Sequence, residues 1–176
     1  MAFIYWSNGP LCILVFYLLL FGCNSNLDRN NLIAAEVKRV ISGQTVEVTL
    51  PGESTSTKVR IIGIDAPDLR QAPWGENAKT RLSELVAGQQ VNLEIEDEET
   101  NNNPYNRIYA HIWQDNNLIS EKLVKEGCVL ANTKYPHSYS KLLINTQEYA
   151  RLMGYGIWNP QQALRETPNQ FRSKNK

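Results

Sequence analysis

Apolar and polar positions alternate in five short runs between Ile33 and Trp113, the period of strands with one buried face. Val37, Arg39 and Ile41 fall on one side of the first run and Lys38 and Val40 on the other, before Ser42-Gly43-Gln44 turns the chain. Thr45 to Leu50 (TVEVTL) is a β-branched alternating run, and Pro51-Gly52 supplies a hairpin turn. Lys58 to Ile64 (KVRIIGI) predicts a third strand. It stops at Asp65-Ala66-Pro67, because the residue before proline avoids helical geometry and proline has no N–H to donate. Gln90 to Ile95 and Ile108 to Trp113 predict two more strands. Helical spacing appears three times. Glu76 to Val86 places Ala78, Leu82, Leu85 and Val86 on one face and ends at Gly88. A short helix near Ser120 to Glu126 stops at Gly127. Tyr139 to Met153 turns Leu142, Leu143, Thr146, Tyr149 and Ala150 inward and stops at Gly154. The order of three strands, helix, two strands and two helices predicts a small α+β Greek-key barrel with helices packed on it. The segment after Trp158 is polar and reads as a loose tail.

Ahead of this domain lies a different pattern. Leu11 to Phe21 (LCILVFYLLLF) has no charged residue. It is shorter than the ~20 residues that span a bilayer and has the length of a signal-peptide apolar core. Leu20-Phe21-Gly22-Cys23 closes it and resembles a bacterial lipobox, in which Cys23 would become the lipidated first residue. Three readings follow: a lipid anchor on Cys23, a cleaved export signal, or an uncleaved membrane anchor that recruits Ala2 to Trp6. Each puts the domain outside the cytoplasm, as a secreted, periplasmic or membrane-anchored protein. The expected organisation is a signal or anchor over residues 1–23, a polar tether over 24–33, one domain over 34–160 and a polar tail over 161–176.

Charge narrows the function. The 176 residues hold 18 Lys and Arg against 18 Asp and Glu, a formal net charge of zero. A protein that grips nucleic acid through bulk charge carries a basic excess. Phosphate binding here must come from a local cluster, and affinity for long nucleic acid should be modest and salt-sensitive. Cys12, Cys23 and Cys128 make no disulfide framework, and Cys128 reads as a small buried apolar residue. His111 and His137 lack metal-ligand spacing to another His or Cys and read as structural.

The candidate chemistry is carried by four residues. Arg60 lies within the third strand, where burial is costly unless it meets an anion. Asp65 and Asp68, held by the turn DAPD, can share a hard cation such as Ca2+ or Mg2+. Arg107 enters the fifth strand after Pro104-Tyr105-Asn106. Taken singly, each has an ordinary surface or turn explanation. The acidic run Glu94, Glu96, Asp97, Glu98 and Glu99 reads as a solvated loop; folded onto the site, it would repel a polyanion or recruit cations.

Together, VKRVISGQTVEV, VRIIGIDAPD, WGENAK, PYNRIYAHIW, LVKEG and GIW resemble, in order and spacing, the staphylococcal-nuclease-like (thermonuclease) family over about Ala34 to Pro160. The resemblance implies a five-stranded OB-type barrel with three helices, acting as a monomeric Ca2+-dependent phosphodiesterase on DNA or RNA, single-stranded for preference. It implies that Arg60 and Arg107 grip the phosphate and that Asp68 stands at the general-base position. Asp65, the Ala66 carbonyl and Gln44 fall at metal-facing positions, and Tyr135 and Tyr105 at the nucleotide pocket. Guanidinium forks suit this task because they bond phosphate oxygens bidentately with a fixed charge.

The chain also departs from the family pattern. The family's first turn, Asp-Gly-Asp-Thr, is Ser42-Gly43-Gln44-Thr45 here, so Gln44 offers a neutral oxygen where a carboxylate is usual. Ca2+ affinity follows ligand charge, so a weakened metal site is expected. The family's glutamate is the shorter Asp68, and Tyr-Gly-Arg is Tyr105-Asn106-Arg107. Two functions remain open: an extracytoplasmic nuclease with an altered metal site, or a decayed barrel that binds nucleic acid or protein without cleaving.

Overall fold

The computed structural model describes residues 32–96 and 107–175. The apolar N-terminal run with Cys23, the acidic residues Asp97 to Glu99, and Tyr105 lie outside them. Strands β1 (Leu32–Ser42), β2 (Thr45–Thr49) and β3 (Ser56–Ile61) form an antiparallel meander. β5 (Gln90–Glu94) pairs with β1, and β6 (Arg107–Gln114) pairs with β5. Parallel pairing of β3 with β6 closes these five strands into a barrel. β4 (Ile64–Asp65) pairs with β8 (Leu130–Ala131), and β7 (Asn117–Leu118) extends β6.

Four helices accompany the barrel: α1 (Trp74–Val86), α2 (Ile119–Lys125), α3 (Ser140–Met153) and α4 (Pro168–Lys174). The first three are those the spacing predicts. Inside the barrel sit Val37, Val46, Val48, Val59, Leu93 and Ile112, each fully buried. Ala78, Leu82 and Val86 of α1 and Ile119, Leu123 and Val124 of α2 continue that core. Arg81 ties α1 to the end of α2 through two bonds to the Glu126 carboxylate, at 2.6 and 2.8 Å.

The structure differs from the sequence pattern in four places. A bulge between Val37 and Arg39 shifts β1 by one residue, so Val37 and Val40 point inward while Arg39 faces solvent and bonds Glu47. The third strand is broken at Ile62-Gly63, where Gly63 has φ +80°. On α3 only Leu143 and Ala150 of the expected inner residues are buried; Leu142 and Tyr149 remain exposed. The tail holds α4, with a capping box in which the Thr167 hydroxyl accepts from the Gln170 N–H and the Gln170 side chain accepts from the Thr167 N–H. No helix among the described residues is long and apolar enough to cross a membrane.

Gly63 has both a conformational and a steric reason to be glycine. A Cβ there would lie 2.6 Å from the His137 ring and 2.7 Å from Leu143 Cδ1. Gly63→Ala therefore combines left-handed strain with overpacking, and urea unfolding should show a loss of at least ~2 kcal/mol. An unchanged midpoint would mean that the turn is not held this way.

Candidate active site

The site forms where barrel closure meets the loop after β3. Parallel pairing sets Lys58 beside Arg107 and Arg60 beside Tyr109, so the predicted arginines enter from adjacent strands. Arg60 does not extend into solvent. Its Nη1 donates to the Ile61 carbonyl at 2.5 Å and its Nη2 to the Ile64 carbonyl at 2.7 Å, on either side of the Gly63 turn. Burial lowers its pKa to about 10, partly offset by the nearby Asp65 carboxylate, so it keeps its charge at neutral pH. Arg172 and Arg107 both push in the same downward direction as burial, so two further guanidinium groups lie within electrostatic reach of Arg60. Asp65 is near Arg60 and bonded to Arg172.

A cavity of about 670 Å3 opens beside Arg60, lined also by Tyr109, Asn132, Tyr135, His137 and Glu96. Tyr135 is 65% exposed at this cavity, with the Lys134 ammonium 5.1 Å from its ring centre. The Tyr105 expected beside it lies outside the described residues.

Asp65, Ala66, Asp68 and Gln44 share one loop-and-turn junction, but their oxygens already have protein partners. The Asp65 carboxylate accepts from Arg172 Nη2 at 2.5 Å, and the Ala66 carbonyl accepts from Arg172 Nη1 at 3.3 Å. Gln44 Oε1 accepts from the Ala66 N–H at 2.7 Å, pinning the loop to the β1–β2 turn. Gly43 makes this approach possible, since a Cβ there would sit 2.6 Å from Ala78 Cβ and 3.0 Å from Ala66 Cβ. Both Asp68 oxygens accept from Arg70, through Nε at 2.8 Å and Nη2 at 3.0 Å. Those bonds hold the Asp68 carboxyl down at about 2. A carboxylate that acidic is a weak general base.

Ca2+ takes six to eight oxygen ligands, with carboxylates supplying most of the charge. The residues here do not fit that ion as they are arranged. Asp65 is paired with an arginine, Asp68 is clamped away by Arg70, and Gln44 brings no charge and spends its oxygen on a backbone N–H.

A second cluster brings together residues that sequence separation hides. Ligand atoms of Glu96, His111 and His137 lie within 4.8 Å of one another. His111 is fully buried, with Nε2 3.0 Å from Glu96 Oε1, which also accepts the Ser138 N–H at 2.6 Å. Burial lowers the pKa of both imidazoles, keeping them neutral. Two imidazoles and one carboxylate suit a borderline ion such as Zn2+ better than Ca2+. The signal available in the sequence was strand register, which sets Glu94 opposite His111 and so brings the end of β5 to the His111 side chain. Burial raises the Cys128 thiol to about 11, in keeping with an inert packing role.

Gln44→Ala leaves the buried Ala66 N–H without its acceptor, and chemical denaturation should show a loss of ~1–3 kcal/mol. Gln44→Glu, which keeps an acceptor within reach, should lose less. Equal losses would mean that the hydrogen bond to Ala66 is not what Gln44 contributes.

The staphylococcal nuclease homologue family matches residues 58–160. The chain is 30% identical over 164 residues to an uncharacterized endonuclease of Haemophilus influenzae, covering 93% of this chain and 86% of that relative. It is 28% identical over 142 residues to a thermonuclease of Staphylococcus hyicus, with 77% and 82% covered. A thermonuclease of Staphylococcus intermedius is 30% identical over 128 residues, with 69% and 74% covered. With more than half of its length matched and the closed barrel in place, the chain belongs to the staphylococcal nuclease homologue family.

Proposed function

We propose that this protein is a nuclease that hydrolyses phosphodiester bonds of DNA or RNA at the cavity beside Arg60. The observation that carries this reading is the Arg60 guanidinium at the wall of that cavity, fixed by the Ile61 and Ile64 carbonyls, with Arg107 and Arg172 within electrostatic reach of it. In a chain of zero net charge, this is the local concentration of positive charge that a phosphate needs.

Arg60 is preorganised for that role. A guanidinium has five N–H donors, and the carbonyls of Ile61 and Ile64 take two. The others can meet phosphate oxygens without the side chain having to be ordered first. Charge developing on those oxygens during attack at phosphorus is then met by fixed donors in a water-poor setting, where electrostatic stabilisation is large. Tyr135, exposed at the cavity, offers a face for a base to stack on, which favours single-stranded substrate. Asp68 can take a proton from water only weakly while Arg70 holds it, so its part as a base requires that clamp to open. An extracytoplasmic location rests on the apolar run Leu11–Phe21 and on Cys23.

A second reading, a barrel that binds nucleic acid without cutting it, is favoured by the engaged state of Asp68 and Gln44. Cleavage of single-stranded DNA by the purified chain separates the two. On the nuclease reading, Arg60→Ala lowers kcat/KM by roughly 10^2–10^3-fold, and Arg60→Lys, which keeps charge but loses the fork, recovers only part of it. Cleavage that survives Arg60→Ala at full rate rejects this site. Binding without any cleavage favours the second reading.

A further inference from the structure

The family match ends at residue 160, yet a charged group of the site comes from beyond it. Arg172 lies on α4 and contacts the Asp65 carboxylate and the Ala66 carbonyl, the two oxygens that the resemblance assigns to a metal. We propose that Arg172 is a built-in cation at this position, so that docking of α4 and binding of a divalent ion are mutually exclusive. The proposal deepens the nuclease reading and rests on it for the identity of the metal-facing oxygens.

Three features carry it. The first is geometry: Arg172 Nη2 stands 2.5 Å from Asp65 Oδ1, within the 2.3–2.6 Å range that Ca2+ would take from the same oxygen. A divalent ion bridging Asp65 and Ala66 would lie against the guanidinium, setting like charges in contact with few other carboxylates to offset them. The second is the way α4 is seated. Gln71 Nε2 donates to the Glu166 carbonyl at 2.9 Å, while Gln71 Oε1 accepts from the Asp68 N–H at 2.9 Å. Arg70, which clamps Asp68, also stacks 5.3 Å from the Phe171 ring centre. The loop 65–71 and the α4 segment are therefore tied by several contacts, and undocking α4 also takes the Phe171 ring away from Arg70, which clamps Asp68. The third is compensation. Gln44 brings no charge to hold the ion, and Arg172 puts a positive charge in direct contact with Asp65.

The test measures Ca2+ binding by isothermal titration calorimetry, and amide hydrogen exchange of residues 168–174 with and without Ca2+, on the full chain. The variants are Arg172→Gln, which removes the cation, and Thr167→Ala, which weakens the α4 cap and leaves Arg172 in place. The expected result is Ca2+ binding at least tenfold tighter in Arg172→Gln and tighter also in Thr167→Ala. Ca2+ should speed exchange of α4 in the wild type. Thermal unfolding confirms that both variants are folded. Unchanged or weaker affinity in folded Arg172→Gln overturns the proposal, as does α4 exchange that Ca2+ leaves unaltered, or no Ca2+ binding by any of the three. None of these readouts uses cleavage. Loss of the nuclease reading with α4 still released by Ca2+, and cleavage without such release, are therefore distinguishable results.

Discussion

Lys58 pairs with Arg107 and Arg60 with Tyr109 because β3 runs parallel to β6, and the remaining geometry of the site follows from that pairing. A meander alone would leave β3 at an edge, far from the fifth barrel strand. Closure removes the edge and sets Arg60 and Arg107 on adjacent strands, two register positions apart. The chain leaves β3 sharply at Ile62-Gly63. Gly63 makes that exit, with φ +80° and the His137 ring packed against it. The turn exposes the carbonyls of Ile61 and Ile64 to one side, and the Arg60 guanidinium fills the gap between them. A cation half-buried in this way is fixed in direction by backbone rather than by another mobile side chain.

Charge placement around that guanidinium explains why so little net charge suffices. Asp65 is the nearby carboxylate, and its oxygen is shared with Arg172. Asp68 is matched one-to-one by Arg70, an exposed pair that adds little stability but fixes the loop. What remains is a local gathering of positive charge around Arg60, with Arg107 and Arg172 in its electrostatic reach, although the chain as a whole is neutral. A polyanion would feel attraction only at close range, which agrees with a protein that acts on strands it meets rather than one that holds long duplexes.

Much of the barrel was legible because β-branched alternation in TVEVT and KVR and the apolar spacing of α1 match their burial closely. The parts that were not legible share a cause: they depend on contacts distant in sequence. The bulge at Lys38 is set by pairing with β2, and nothing in VKRVI marks it. The break at Ile62-Gly63 left only a glycine as a trace, in a run that otherwise reads as one strand. Glu96, His111 and His137 come from three segments, and only register brings them together. Of the candidate site, the placement of Arg60, Arg107 and Asp65 near one another was expected from motif order, whereas the partners of Asp65, Asp68 and Gln44 could not be read. Arg172 was missed although Thr167-Pro168-Asn169-Gln170 carries both a capping pair and a proline at the first helical turn. A helix of seven residues is unstable by itself, and α4 exists because the loop 65–71 receives it.

That dependence bears on how the two sequence departures should be understood. If Gln44 were only a lost ligand, the junction would be a damaged metal site with a vacant charge. Instead Gln44 holds the Ala66 N–H, Arg172 occupies the Ala66 carbonyl and Asp65, and Gln71 and Arg70 bind α4 to the same loop. Each polar group displaced from a metal-facing role has a specific partner: Arg70 for Asp68 within the matched span 58–160, and Gln44 and Arg172 from outside it for the Ala66 N–H, the Ala66 carbonyl and Asp65. Random decay leaves polar groups without partners, because a lost ligand does not create its own replacement. A junction whose hydrogen bonds are met from both ends of the domain is better explained as an arrangement maintained in its own right, with α4 as an integral part of the site.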